Sequence, residues 1–242
     1  WPFHAGMVVF LFKHSPMSTV LVIGASRGIG LELVRQYAET GARVIATARD
    51  EEGLARVRAL GAQGLKVDVA QPASVSGLAW QLDGEAIDIA LYVAGVMSRA
   101  SATEPPTQPE FDRVMHTNVL GAMQVIPQVA PLVAAASQGR GGRFVFLSSV
   151  MGQIGTVASS DCWLYRVSKA ALNMAVASAQ PSYTGVTMVA MHPGWVQTDM
   201  GGARAPLGVT DSVRAMIATL DALTPADRGR FLQHDGTPYL GW

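Results

Sequence analysis

The chain has 242 residues, with 18 basic and 18 acidic side chains, 49% hydrophobic and 15% charged. So apolar a composition excludes disorder, and zero net charge without a Lys/Arg cluster excludes a general nucleic-acid binder. A single cysteine, Cys162, leaves no internal disulfide framework, and five scattered histidines give no metal-ligand spacing. The expectation is a compact protein of a reducing, cytoplasmic compartment, with no metal.

Residues 1–16 stand apart. Their apolar run, 7–12, is broken by Lys13 and His14 and falls far short of the ~20 residues that span a bilayer. It lacks the basic start and small-residue cleavage site of a signal peptide. We expect an extension outside a domain of residues 17–242; an extra edge strand is the alternative. No other stretch reaches ~18 consecutive apolar residues.

From residue 19 onward, short apolar runs alternate with longer amphipathic stretches. Residues 19–23 (TVLVI) read as a buried strand, 29–40 as a helix stopped by Gly41, and 43–48 (RVIATA) as a second strand. A second helix follows at 51–60, closed by Gly61, and a short third strand at 65–69. Residues 72–82 begin with Pro72, which a first helical turn tolerates. A fourth strand is expected at 87–93. Residues 111–136 form a long helical stretch, expected to bend or break at Pro127 and Pro131. A fifth strand at 143–148, a helix at 164–179, a sixth strand at 187–192, a helix at 211–220 and an apolar fragment at 231–232 complete the pattern. Strands apolar at consecutive positions are covered on both faces. Unbroken β–α alternation predicts one doubly wound α/β domain of Rossmann type, a parallel sheet with helices on both faces. Ligands of such sheets bind beyond the C-terminal strand ends.

The first such end carries Gly24-Ala25-Ser26-Arg27-Gly28-Ile29-Gly30. Glycines there let the backbone approach a pyrophosphate, and the helix start offers free N–H groups. Leu31 and Glu32 stand where a P-loop needs Lys and Ser/Thr. Gly24-x-Ser26-x-Gly28 also fits a nucleophile elbow, but that elbow normally follows several strands, not the first. An NAD-binding domain typically ends its second strand on an acidic residue that bonds the ribose 2′-hydroxyl. Here Ala48 occupies that place and Arg49 follows. Arg27 and Arg49 together favour NADP(H) over NAD(H), while Asp50 reads as a cap for the next helix.

With these motifs the chain resembles a short-chain dehydrogenase/reductase over about residues 19–202. Asp68-Val69 is similar to the family's adenine-contacting pair, Ala94-Gly95 to the end of its Asn-Asn-Ala-Gly, and Asn118-Val119-x-Gly121 to its asparagine helix. Ser148-Ser149 ends the fifth strand, Tyr165-x-x-x-Lys169 matches the signature, and Pro193-Gly194-x-Val196-x-Thr198 matches the cofactor-clasping segment. Residues 165–174 and 192–202 further resemble the bacterial C-factor-like branch. Two departures stand out. Tyr92-Val93 replace the paired asparagines, and Tyr165 lies 16 positions after Ser149, a longer spacing than usual.

Tyr165 and Lys169, four apart on one helix, share a face. An ammonium one turn away favours the phenolate of a group whose usual pKa is near ~10. Tyr165 can then exchange a proton with a substrate oxygen. The resemblance implies that Lys169 also holds the nicotinamide ribose. It implies that Ser149 bonds the substrate oxygen, with Ser148 as the alternative, and that Asn118 holds a water in the proton path; the last could instead bond a neighbouring backbone. The cofactor set is Gly24, Ser26, Arg27, Gly28, Ile29, Gly30, Arg49, Asp68, Val69, Ala94, Gly95, Tyr165, Lys169, Pro193, Gly194, Val196 and Thr198. The expected function is an NADP(H)-dependent oxidoreductase interconverting a carbonyl and an alcohol. The alternative is a dinucleotide-binding regulatory or signalling protein with little turnover. The expected partners are a small-molecule substrate and further copies of the chain, as a homodimer or homotetramer, with no nucleic acid and no membrane.

Overall fold

The computed structural model describes residues 18–136 and 141–242; the extension expected at residues 1–16 lies outside them. Strands β1 (Thr19–Ile23), β2 (Arg43–Ala48), β3 (Gln63–Lys66), β4 (Ile89–Tyr92), β5 (Gly142–Leu147), β6 (Val186–His192) and β7 (Phe231–Gln233) form one sheet in the order β3-β2-β1-β4-β5-β6-β7. Every pairing is parallel. The order reverses beside β1, so a crevice opens over the C-terminal ends of β1 and β4.

Helices cover both faces because the strands are apolar at successive positions. On one face, Leu21, Ile23, Tyr92, Phe144 and Phe146 pack against Val125, Ile126 and Val129 of α6 (Gly121–Ala136) and Leu172 and Val176 of α7 (Trp163–Ala179). On the other, Val20, Val22, Val145 and Val189 pack against Leu33, Val34 and Tyr37 of α1 (Gly28–Glu39) and Val213, Met216 and Leu220 of α8 (Val209–Ala222). The remaining helices are α2 (Glu51–Ala59), α3 (Pro72–Val75), α4 (Leu78–Gln81) and α5 (Gln108–Met115).

Several boundaries differ from expectation. The third strand ends at Lys66, which leaves Asp68 and Val69 in the turn beyond it. The helix expected over 72–82 is two short turns separated at Gly77. The long stretch starts earlier, at Gln108, where Thr107 caps it by accepting from the Glu110 N–H. It does not break at its prolines. Pro127 and Pro131 lie inside a continuous α6, on the exposed side with Met123. The carbonyls that lose their N–H partners there can bond water, and the buried face stays intact. The interruption falls instead at a π-helical turn, His116–Leu120, which carries Asn118. The helical run from Gln108 to Ala136 is long and apolar enough to cross a membrane by composition. It is used as a core element, with Val114, Val125 and Val129 wholly buried.

After β7 the chain turns back on itself. The Gln233 N–H donates to the Thr237 carbonyl and the Tyr239 N–H to the Phe231 carbonyl, both bonds on the side of β7 away from β6. Tyr239 stacks on Phe231 with ring centroids 4.5 Å apart.

Candidate active site

A cavity of about 350 Å³ runs over the strand ends, from Ala48 and Arg49 past the glycine turn and Gly95 to Tyr165 and Lys169. The turn's geometry explains its glycines. Gly24 has φ +89°, and a Cβ there would lie 2.6 Å from the Ala94 nitrogen; a Cβ on Gly30 would lie 2.4 Å from the Gly24 carbonyl oxygen. The backbone therefore passes directly over β4. The first turn of α1 has no side-chain cap and no acidic residue. Its N–H groups are left for an anion, and the helix dipole favours one. The residues present thus fit the pyrophosphate of a dinucleotide.

At the far end, Arg49 and Arg27 both line the cavity and Ala48 presents no carboxylate. Arg27 is paired with Asp199 at 3.1 Å, and the Arg49 Nε is 3.6 Å from Asp50. Both pairs are solvent-exposed and so weakly held. Asp50 caps α2 by accepting from the Gly53 N–H at 2.8 Å, which holds its carboxyl below the usual range. Asp68 and Val69 line the same cavity, and one Asp68 oxygen accepts from the Ala70 N–H.

Tyr165 is buried at the start of α7, and Lys169 lies one turn further on. The Lys169 Nζ donates to the Leu147 carbonyl at 2.7 Å and stands 5.6 Å from the Tyr165 ring centre. Burial dominates both groups. It pushes the Tyr165 hydroxyl up to about 12, against a hydrogen bond with Ser149 that pulls the other way, and it pushes the Lys169 amine down to about 7. At Tyr165 burial thus outweighs the pull toward phenolate expected from the amine. The amine sits over the ring, donates to the Leu147 carbonyl, and is only partly charged at neutral pH because of desolvation.

The two serines at the end of β5 have different surroundings. The Ser148 hydroxyl is tied to Asn173 Oδ1 at 2.5 Å on the inner side of α7. The Ser149 oxygen accepts from the Met151 N–H at 3.1 Å, capping the short turn Val150–Gly152, and its side chain meets Tyr165. Gly152 is a residue that sequence reasoning missed. A Cβ on it would lie 2.7 Å from the Lys169 carbonyl carbon, so only glycine lets this turn press Ser149 against α7.

Asn118 is wholly buried. Its Oδ1 accepts from the Val96 N–H at 2.8 Å, and its Nδ2 donates to the Val96 carbonyl at 2.8 Å and to the Ser168 Oγ at 2.9 Å. Ser168 in turn donates to the Tyr165 carbonyl at 2.7 Å. The side chain thus locks three segments together, the neighbouring-backbone role given above as the alternative. Tyr92, in place of the first asparagine, donates to the Thr117 carbonyl at 2.7 Å and fills the space that Gly121 leaves open.

The cavity brings together the glycine turn, Arg49, Asp68, Val69, Ala94, Gly95, Tyr165, Lys169, Pro193 and Thr198. Ser148, the alternative serine, lines it as well, whereas Asn118, Ser149, Gly194 and Val196 do not. Gly194 has φ +87° and packs under Leu207, while Val196 bridges to Leu207 and closes that loop. Arg113 and Thr117, which the sequence did not single out, also line the cavity. Trp195 is exposed, and its Nε1 donates to the Gly201 carbonyl. Trp163 lines a separate apolar groove of about 410 Å³.

Comparisons with known proteins agree with this geometry. A family model described as short chain dehydrogenase matches residues 18–206. C-signal of Myxococcus xanthus is 37% identical over 153 residues, 62% of this chain and 90% of that protein. The 1-hydroxy-2-glutathionyl-2-methyl-3-butene dehydrogenase of Rhodococcus sp. (strain AD45) is 34% identical over 238 residues, 93% of this chain and all of that one. Among solved structures, NADPH-bound carbonyl reductase from chicken fatty liver superposes with a TM-score of 0.83 at 29% identity, covering 93% of this chain and 99% of that one.

Proposed function

The chain belongs to the short-chain dehydrogenase family and is an NAD(P)-dependent oxidoreductase; on that premise we propose that it is an NADP(H)-dependent enzyme interconverting a small-molecule carbonyl and its alcohol. The observation that carries this reading is the meeting of Tyr165 and the Lys169 amine in a cavity that Arg27 and Arg49 also line, with the Ser149 side chain bonded to Tyr165 from outside the lining. The dinucleotide, when bound, supplies or takes the hydride. Tyr165, kept neutral by its burial, gives its proton to the substrate oxygen during reduction and must regain that proton afterwards. Ser149 donates to the same oxygen and stabilises the charge developing there. Lys169, with its amine near neutrality, can pass a proton on toward Tyr165 and stands where a ribose hydroxyl would lie. Asn118 holds Tyr165 in place through Ser168. Arg27 and Arg49 hold the 2′-phosphate, with the helix start of α1 on the pyrophosphate.

The test pairs turnover with cofactor affinity. Tyr165→Phe removes only a hydroxyl, so NADPH binding persists. Turnover on a panel of aldehydes, ketones and quinones falls by about 10²-fold or more. Near-wild-type turnover of this variant refutes the mechanism. It would favour the second reading, a dinucleotide-binding signalling protein, which the similarity to C-signal keeps in play. We place the protein in the cytoplasm, where its one free thiol, Cys162, stays reduced.

A further inference from the structure

We infer that Arg56, on α2, is a positioning residue that sets the preference for a cofactor carrying a 2′-phosphate; this rests on the NADP(H) reading above. Arg56 was not among the residues that sequence motifs single out, and it does not line the cavity. Its Nε–H donates to the Ser26 carbonyl at 2.8 Å, across 30 residues of sequence. Ser26 and Arg27 do line the cavity, at the end where Arg49 follows β2. The guanidinium is itself held, because its Nη1 donates to Glu52 one turn back on the same helix.

The packing makes this contact specific. A Cβ on Gly53 would lie 2.7 Å from the Ser26 Cβ and 2.9 Å from the Ala48 Cβ. The start of α2 therefore rests directly on the phosphate turn and on the strand end where an acidic residue is missing. Asp50 fixes that helix start from within, and Arg56 fixes the turn from above. The bond to the Ser26 carbonyl fixes the peptide from which Arg27 projects; the Arg27 guanidinium pairs at the surface with Asp199 and lines the same cavity as Arg49. With that peptide fixed, Arg27 can exchange its exposed Asp199 partner for a phosphomonoester that Arg49 also reaches.

The experiment measures equilibrium dissociation constants for NADPH and NADH by fluorescence, on the full chain, for wild type, Arg56→Ala and Arg56→Gln. Melting temperatures confirm that each variant is folded. A charge-assisted bond to a partly buried carbonyl supports a loss of about 10-fold in NADPH affinity for Arg56→Ala. NADH affinity stays within about threefold, since only the 2′-phosphate end is disturbed. Arg56→Gln keeps an N–H donor for Ser26 without the charge and returns NADPH affinity to within about threefold of wild type. Equal losses for both cofactors in Arg56→Ala, or no loss, overturn the proposal while leaving the NADP(H) reading standing. So does a glutamine variant as weak as alanine, because the role would then be charge rather than position. A wild-type protein that binds NADH as tightly as NADPH overturns the underlying reading, and this proposal with it.

Discussion

Gly152→Ala tests whether the Ser149 turn is held against α7 by contact alone. The added methyl would lie 2.7 Å from the Lys169 carbonyl carbon, 2.9 Å from the Ala170 nitrogen and 3.0 Å from the Lys169 Cβ. Ordinary contact begins at 3.4 Å, so the closest approach is short by 0.7 Å. Two of these three atoms are helix backbone, which cannot rotate away as a flexible side chain could. The turn must therefore retreat, and Ser149, which caps it, retreats with it. Overpacking of this kind costs about 1–3 kcal/mol of stability. A displacement approaching 1 Å at a positioned catalytic group costs up to about 10²-fold in rate. The assay reads NADPH consumption with a good carbonyl substrate, alongside NADPH affinity and the thermal midpoint. The expected pattern is a large loss of turnover, a modest loss of stability and a smaller change in cofactor affinity, since the turn retreats rather than the helix that carries Lys169. A Gly152→Ala enzyme with wild-type turnover refutes the reasoning.

Two further predictions concern protons and assembly. The Lys169 amine is at about 7 when folded, against a usual value of 10.5, so between those values the unfolded chain binds more protons and stability rises with pH. The gain is on the order of a few kcal/mol. Denaturant titrations of the cofactor-free protein at pH 7 and pH 9.5 should show it, and Lys169→Met should flatten the slope; an equal slope in that variant assigns the effect elsewhere. Above pH 10 Tyr165, raised to about 12, works in the opposite sense. For assembly, we expect a homodimer or homotetramer through the faces of α5–α7, where Phe111, Met123, Val167 and Met174 are exposed. Val114, Val125 and Ile126 of the same stretch are spent on the core and add nothing to that surface. A stable monomer by light scattering at micromolar concentration counts against it.

The sheet and its order of elements were readable because apolar runs such as 19–23 and 186–192 are buried at nearly every position, which only two-sided coverage produces. The glycine turn was readable because its neighbours along the chain define it. What escaped depends on contacts between distant segments. Gly152 matters because of a helix that starts eleven residues later, and Arg56 because of a carbonyl thirty residues earlier. The uninterrupted α6 could not be foreseen from its prolines, since the outcome turns on which side they face. The spacing of Tyr165 and Lys169 gave their shared face but not their charge states. Burial decides those, opposed at Tyr165 by the Ser149 hydrogen bond, and neither is encoded in a four-residue interval.

The returning C-terminal segment has a consequence for how the sheet can grow. An outer strand normally presents a row of unclaimed N–H and C=O groups, to which another chain can add. On β7, the outward carbonyl of Phe231 and the outward N–H of Gln233 are already taken by Tyr239 and Thr237 of the same molecule. The opposite margin, β3, is four residues long and ends in Lys66, which pairs with Glu51. A second copy could extend the sheet at β7 only by first peeling away a segment anchored by the stacked rings of Phe231 and Tyr239. Among the described residues, the β7 edge therefore carries its own terminator for sheet-to-sheet addition.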